Sequence, residues 1–439
     1  MLLHSLSGPV SSQAVADAIF SAIRNGELTE GAHLPSVRGL AADVGVSPGT
    51  VALAYRMLRE RGVIRTSHGK RAQVSARPPV PRASLTMQLP DGVRDLTAME
   101  PDPELLPDVG AVLTPDTYRP TLYRESNVAA ELRAQLAVDF ERDGIRGELT
   151  VTNGALDFME RLLKARLRPG EVVLVEDPMW TSTLSLLRTL GLEIVGVAID
   201  DEGMRPDALR ETLAKRHASA LLITPRAQNP SGSALSAQRA AALRDVIAAY
   251  PELLVIEDDH ASLIAGAAFH SLTAGREHWA VVRSMGKALG PDLRVAVAAS
   301  DPGSAGAVQG RQLIGPGWVS HFVQRVVAAL LASPEARNQI ADAAEIYAQR
   351  RRALLAALAD RGIEARGASG FSIMVPVPDE SAVVANLALR GWGVRGGEGF
   401  RMSERPFVRV CTATLQPAES VLFADALAEV LRARAGHRE

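Results

Sequence analysis

Hydrophobic positions recur along this chain in distinct rhythms, and the rhythm changes twice. Near the start they fall in short helical blocks. Val15, Ile19 and Ile23 share one side of a helix that Asn25-Gly26 would end, because glycine accepts the left-handed backbone at a helix C-terminus. Ser36 is placed to cap a second helix over 37–43, built on Leu40 and Ala41, and Gly45-Val46-Ser47 supplies a turn and a new N-cap. A third helix over 48–61 buries Val51, Ala54, Tyr55 and Leu58, and Gly62 stops it. Val63-Ile64-Arg65 and Ala72-Gln73-Val74 read as short strands around Ser67-His68-Gly69-Lys70-Arg71. Three helices followed by a basic hairpin predict a winged helix-turn-helix over residues 10–76. Then the periodicity stops. Arg77-Pro78-Pro79-Val80-Pro81-Arg82 opens a stretch, 77–95, that reads as a semi-rigid spacer, because proline donates no N–H and disfavours helix before it.

From residue 96 to 439 short apolar runs alternate with helical patterns. The runs are 172–175, 193–197, 220–224, 253–256 and 280–283, and helices are expected at 154–167, 180–190, 206–216 and 236–250. That alternation predicts an α/β domain whose mostly parallel sheet is buried on both faces. Beyond Ser333 long helices (334–361, 380–390, 417–435) and short strands at 371–375 and 408–410 predict a smaller α+β lobe. No internal repeat is visible.

Composition narrows the class. Of 439 residues, 47% are hydrophobic and 22% charged, which fits a globular protein of more than one domain. The single cysteine, Cys411, excludes an intrachain disulfide and fits a reducing compartment. The first residues lack a basic segment and a long apolar run, so no secretory signal is expected. No uncharged apolar stretch reaches the roughly 18 residues that span a bilayer, so the expected location is the cytoplasm, away from membranes. Residues 1–76 carry eight Lys/Arg against five Asp/Glu, a balance of +3, which leaves −5 for the rest of a chain whose net charge is −2. A basic head on an acidic body points to nucleic-acid contact by the head alone. A winged helix-turn-helix would insert its third helix into the major groove and set Lys70 and Arg71 on phosphates or in the minor groove.

The candidate chemistry of the body sits in loops at strand ends, where open α/β sheets bind ligands. Lys287 lies among small residues with Arg294 seven positions on. A lysine of lowered pKa forms a Schiff base with an aldehyde, and a guanidinium suits a phosphate, so the pair points to pyridoxal phosphate. Thr152-Asn153-Gly154-Ala155-Leu156 opens a helix whose free N–H groups could hold a phosphate; it could equally be an ordinary helix start. Trp180 could stack on a pyridine ring or simply be buried. Asn229 stands in a polar Asn-Pro turn. Glu257-Asp258-Asp259-His260 follows an apolar run, where adjacent acids are costly unless paired, and a carboxylate against a protonated pyridine nitrogen would be such a pair. No metal-ligand set is predicted.

Leu34-Pro35-Ser36-Val37-Arg38-Gly39-Leu40-Ala41, Val46-Ser47-Pro48-Gly49-Thr50-Val51 and Ala54-Tyr55-Arg56-Met57-Leu58 closely resemble the GntR family of bacterial regulators. The resemblance implies double-stranded DNA as partner and Arg38, Ser47, Thr50 and Arg56 as contacts; the wing, His68-Gly69-Lys70-Arg71, departs from the family's Gly-x-Gly. In their order, the loops of the body resemble the fold-type I aminotransferases across nearly all of 96–435. That implies Lys287 as the Schiff-base lysine, Arg294 on the phosphate, Asn229 on the ring oxygen, Asp258 (rather than Asp259) on the pyridine nitrogen, and Trp180 on the ring. Gly154, Ala155 and Leu156 would hold phosphate through backbone N–H groups, and Arg409 would take an effector or substrate carboxylate.

Three departures bear on turnover. His260 stands where tyrosine is usual; as an imidazole it is expected to replace the phenol as a hydrogen-bond donor and to titrate near neutral pH. Gly286 replaces a common serine, with Ser284 a substitute on the phosphate. Tyr123, expected to reach the phosphate of a partner subunit, is kept, while the glycines that follow it in the family are absent.

A GntR head on an aminotransferase-like body is identified as the MocR subfamily. It implies a homodimer that senses pyridoxal phosphate or a small amine or amino acid, and the wording of "EDDH", "TPRAQNPSG" and "GPDLR" resembles a regulator linked to vitamin B6 metabolism. The alternatives are a catalytically active aminotransferase carrying a DNA-binding head, and a DNA-binding protein whose body only dimerises it.

Overall fold

The computed structural model describes residues 12–24, 27–60, 63–65, 71–75 and 89–435, in two compact units, Met1–Ser84 and Leu85–Glu439. The expected helix stops at Asn25-Gly26 and Gly62, the hairpin tip 67–70 and the proline run 77–82 lie outside the described residues.

The head contains α1 (Ser12–Arg24), α2 (Val37–Val44), α3 (Pro48–Glu60), β1 (Ile64–Arg65) and β2 (Gln73–Val74), the two strands antiparallel with Ile64 opposite Val74. The Ser36 hydroxyl caps α2 by accepting from the Gly39 N–H at 3.1 Å, and Gly45 ends it at φ 74°. Val15, Ile19, Leu40, Val51, Ala54, Leu58, Ile64 and Val74 form one core, and the Tyr55 hydroxyl donates to Pro35 O at 2.8 Å, tying α3 to the Leu-Pro-Ser turn.

The body begins with β3 (Arg94–Asp95), then α4 (Ala130–Arg142), β4 (Glu148–Thr152), α5 (Ala155–Arg166), β5 (Val172–Asp177), α6 (Thr181–Thr189), β6 (Glu193–Asp200), β7 (Gly203–Met204), α7 (Pro206–Lys215), β8 (Ala220–Ile223), α8 (Ala237–Ile247) and β9 (Leu254–Asp259). It continues with β10 (Trp279–Ser284), α9 (Gly286–Leu289), β11 (Ala296–Ser300), α10 (Pro302–Leu313), α11 (His321–Ala332), α12 (Pro334–Ala359), β12 (Ser372–Pro376), α13 (Glu380–Ala388), β13 (Trp392–Gly393), β14 (Arg395–Gly396), β15 (Phe407–Cys411) and α14 (Pro417–Ala435). Eight strands form one sheet in the order β4-β11-β10-β9-β8-β5-β6-β7, parallel from β10 to β6 and antiparallel at both ends.

Alternate strand residues feed opposite cores. Val173, Leu222, Ile256 and Val282 pack under α5 and α6, while Leu174, Leu221 and Val255 pack against α7 and α8. Val281 and Val297 face α4, α11 and α12. Burial on both faces is why these strands read as continuous apolar runs. The C-terminal lobe packs α12, α13 and α14 on the sheet β12-β15-β14.

Two expectations are corrected. The end of the 77–95 stretch is not spacer. β3 pairs in parallel with β13, Arg94 opposite Trp392, and Leu96 is buried in the C-terminal core. A two-residue strand is too short to show a period, so the pattern missed it. The acids 257–259 do not follow a strand; they form the end of β9 and are buried.

Candidate functional site

Three neighbouring parallel strands deliver the candidate residues of the body. β8 runs into the turn Thr224–Gly232, β9 ends in Asp258 and Asp259, and β10 leads through Ser284 into α9, which carries Lys287. In register, Asp258 lies beside Val282 and Asp259 beside Arg283.

The two acids have different fates. Both Asp259 oxygens accept from Arg226 (2.8 and 2.9 Å), and Oδ2 also accepts from Arg283 Nε at 3.1 Å. Arg283 continues to Asp143 at the end of α4 and lies over Phe140 and Phe269. Although burial opposes its charge, the paired arginines hold the Asp259 carboxyl below its usual range. Asp258, only 2% exposed, has Oδ1 buried with no partner. Burial pushes its pKa up to about 7, offset in part by Lys287. Burial lowers the pKa of Lys287 and Asp258 opposes that shift, while Arg409 lowers it further. Lys287 therefore lies within electrostatic reach of Asp258, Arg409 and Cys411.

His260 corrects the expectation made of it. Its Nε2 lies 2.8 Å from Ala227 O. A carbonyl only accepts, so Nε2 carries the proton and Nδ1, buried without a partner, is left as an acceptor. Burial, reinforced by the Lys287 ammonium, pushes the imidazole down to about 3, so it is neutral at physiological pH. His260 thus offers the pocket an acceptor, not the donor a phenol would supply, and it does not titrate near neutrality. The signal for this was absent from the sequence, because the Ala227 carbonyl reaches His260 only through the folded β8 turn.

At the other end of the pocket, Gly154 takes φ 99° before α5, and a Cβ there would stand 2.5 Å from Arg294 Nη2. The bare backbone is therefore required for the arginine to approach, and the Arg294 guanidinium donates to Asn153 O at 3.2 Å. The leading N–H groups of α5, at Ala155 and Leu156, have no intrahelical acceptor. Ser284 Oγ accepts weakly from the Gly286 N–H at 3.4 Å. Asn229 is buried with Oδ1 unpartnered. Trp180 packs on Met374, Phe400 and Phe407. Arg409, 2% exposed, lies over Phe400 at 5.6 Å and donates to Thr97 O; burial lowers its pKa to about 10.

Tyr123 stands apart. It is 92% exposed and meets Trp318 edge-on at 5.6 Å. Sequence reasoning missed Cys411, Thr97, Phe400 and Ala227, which join the pocket only through tertiary packing.

These features fit pyridoxal phosphate. Orphaned buried polar atoms on Asp258, Asn229 and His260 face the requirement of a polar aromatic ring, and the cradle of Gly154, the α5 N-terminus and Arg294 suits its phosphate.

In the head, Arg38, Ser47, Arg56 and Arg71 are exposed and Thr50 is half-buried, while Lys70 lies outside the described residues. Ser47 Oγ accepts from the Thr50 N–H at 3.1 Å and lies 2.9 Å from its hydroxyl, so both sit at the start of α3. Gly49, Ala52, Leu53 and Arg56 form the outward face of that helix.

Head and body together define a DNA-binding transcription regulator built on an aminotransferase-like body. Residues 11–74 match the bacterial regulatory proteins of the gntR family, and residues 116–427 match aminotransferase class I and II. The chain is 38% identical to the vitamin B6 salvage pathway transcriptional repressor PtsJ of Salmonella typhimurium, covering 93% of this chain and 97% of that one. It is 26% identical to the pyridoxine biosynthesis transcriptional regulator PdxR of Corynebacterium glutamicum, covering 91% and 94%. Among solved structures, an archaeal alanine:glyoxylate aminotransferase superposes with a TM-score of 0.70 at 24% identity, covering 77% of this chain and 91% of that chain, which establishes the fold. The chain belongs to the GntR family of bacterial transcription regulators, in the MocR subfamily that carries an aminotransferase class I and II domain. That domain class depends on pyridoxal phosphate in general. No helix among the described residues is long and apolar enough to cross a membrane.

Proposed function

We propose that this regulator binds pyridoxal phosphate on Lys287 and couples the ligand state of the body to operator binding by the head, controlling genes of vitamin B6 metabolism. The observation that carries the reading is the set of buried, unpartnered polar atoms on Asp258, Asn229 and His260 at the ends of the strands that lead to Lys287, on whose charge Asp258 acts. The relatives named for vitamin B6 salvage and pyridoxine biosynthesis support the choice of target genes.

Bound there, the cofactor supplies an aldehyde that takes an amine and a ring that withdraws electrons. The protein's part is to hold it. Burial keeps the Lys287 amine more readily free of its proton. Asp258 balances a protonated ring nitrogen, Asn229 serves the ring oxygen, and Trp180 covers a face. Gly154, Ala155, Leu156, Ser284 and Arg294 take the phosphate, and Tyr123 reaches the phosphate of a second subunit in a homodimer. Arg409 takes the carboxylate of an amine effector. Arg38, Ser47, Thr50, Arg56, Lys70 and Arg71 meet double-stranded DNA. The protein acts in the cytoplasm, with a head over 10–76 and a ligand-binding body after the spacer.

The effector changes DNA binding only through a difference in affinity for two states of the protein. Purified full-length protein should show a visible absorbance band that Lys287→Ala removes; an unchanged spectrum in the variant overturns the covalent role. Gel-shift titration of the protein's own promoter with and without pyridoxal phosphate tests the coupling, and identical affinities reject it.

A second reading, residual transamination, is favoured by Arg409 beside Lys287. The acceptor-only His260 counts against it, because a donor to the ring oxygen is lost. Catalytic conversion of an amino acid by the purified protein would establish it.

A further inference from the structure

The antiparallel pair β14–β15 sets Arg395 directly opposite Arg409. Directly opposed residues of an antiparallel pair project on the same face, where like charges repel. Both guanidinium groups converge on the Phe400 ring, Arg395 at 6.0 Å and Arg409 at 5.6 Å from its centroid.

Although Asp95 acts on Arg409 from a distance, neither guanidinium forms an ion pair among the described residues. The Arg395 guanidinium has no hydrogen bond or ion pair there. Arg409 donates to the Thr97 carbonyl, while its Nε–H and the neighbouring Thr97 Oγ1 are buried with no partner. Neither acid nearby pairs with them, although Glu380 Oε2 is buried with no partner. Glu380 pairs with Arg401 at 2.8 Å, and Asp95 Oδ1 accepts from the Thr97 N–H at 2.6 Å. Asp258 acts on Lys287. Arg409 is buried and Arg395 half-buried; burying a guanidinium without a paired counter-charge is costly, and the cost falls when an anion arrives.

One effector carboxylate accounts for Arg409 and leaves Arg395 unexplained. We infer that Arg395 forms a second anion subsite, and that the effector is an amino acid carrying a further carboxylate on its side chain. This rests on the reading of Arg409 as a carboxylate site. The α-carboxylate sits on Arg409, the amine faces Lys287, and the side-chain carboxylate pairs with Arg395. Met374, Phe407 and Trp180 pack on Phe400 and supply an apolar wall for the methylene groups between the two charges. A carboxamide at the far end pairs less well, because it offers the guanidinium one neutral acceptor oxygen where a carboxylate offers two that share a charge.

The test is calorimetric titration of the full-length protein with glutarate and with butyrate, acids that lack the amine and so need no covalent exchange. Glutarate is expected to bind about tenfold tighter or more, as a charge-assisted pair provides. Arg395→Gln should remove that advantage, leave butyrate unchanged and keep the cofactor absorbance band. With glutamate and glutamine as ligands, the band of the wild type should shift at lower concentrations of glutamate, and Arg395→Gln should equalise the two. Equal binding of glutarate and butyrate by the wild type overturns the second subsite. So does an equal loss of both acids in Arg395→Gln, which would mean that both arginines clamp one carboxylate. Butyrate binding that survives Arg409→Gln instead rejects the underlying reading of Arg409, and the two failures are thereby separated.

Discussion

A buried carboxyl shows how single residues here respond to their surroundings. Glu176 is fully buried at the end of β5, where it accepts the Thr224 N–H at 3.1 Å. Burial pushes its pKa from the usual 4.5 to about 8. The folded state therefore holds a proton that the unfolded chain has lost between those values. Its contribution to stability is fully present below pH 4.5 and is lost as pH rises through about 8. Glu176→Gln keeps an acceptor for Thr224 and cannot ionise. Thermal unfolding between about pH 5 and about pH 9 should show a smaller fall in Tm for the variant than for the wild type; parallel curves would mean that Glu176 is not the group responsible. Lys287, Asn229 and Asp258 were legible because each stands in a short motif whose order along the chain resembles the aminotransferases. The protonation of Glu176 and the direction of the His260 N–H were not, since both follow from neighbours distant in sequence.

At the scale of elements, Asp259 ties four together. It ends β9, pairs with Arg226 from the turn after β8 and with Arg283 on β10, and Arg283 reaches Asp143 beyond α4. Asp259→Asn removes the shared counter-charge from two largely buried guanidinium groups. The expected loss, read from urea denaturation of the full chain, is about 3 kcal/mol or more; a loss below about 1 kcal/mol would mean that the arginines find other partners. The pattern located β5, β6, β8, β9 and β10, because buried parallel strands are continuous apolar runs. It did not locate β4, β11 or the helices α4, α10 and α11. Ala296–Ser300 is built of small residues, and α10 holds three glycines, so neither carries a strong period. Arg395 went unnoticed for a similar reason: β14 has two residues, and only its register against β15 sets that side chain opposite Arg409.

On the whole molecule, exposed side chains mark two kinds of contact. Leu113, Tyr118, Leu122, Tyr123, Ile314 and Phe322 are exposed on the body, with Tyr118 edge-on to Phe322 and Tyr123 edge-on to Trp318. Exposed apolar side chains of this kind fit the proposed homodimer. Arg56 on the outward face of α3 fits a phosphate contact of the head. Arg56→Ala should weaken operator binding and lower the slope of log affinity against log salt by about one; an unchanged slope and affinity would remove Arg56 from the interface. The sequence by itself determined the two-part organisation, the class of each part and the residue types of the pocket, because periodicity and short motifs are local properties. Only the tertiary structure decided which acid is committed to arginines and which keeps a free oxygen, which nitrogen of His260 bears the proton, and that Arg395 faces Arg409. Those depend on burial, register and the positions of backbone carbonyls, and they exist only once residues far apart in the chain have been brought together.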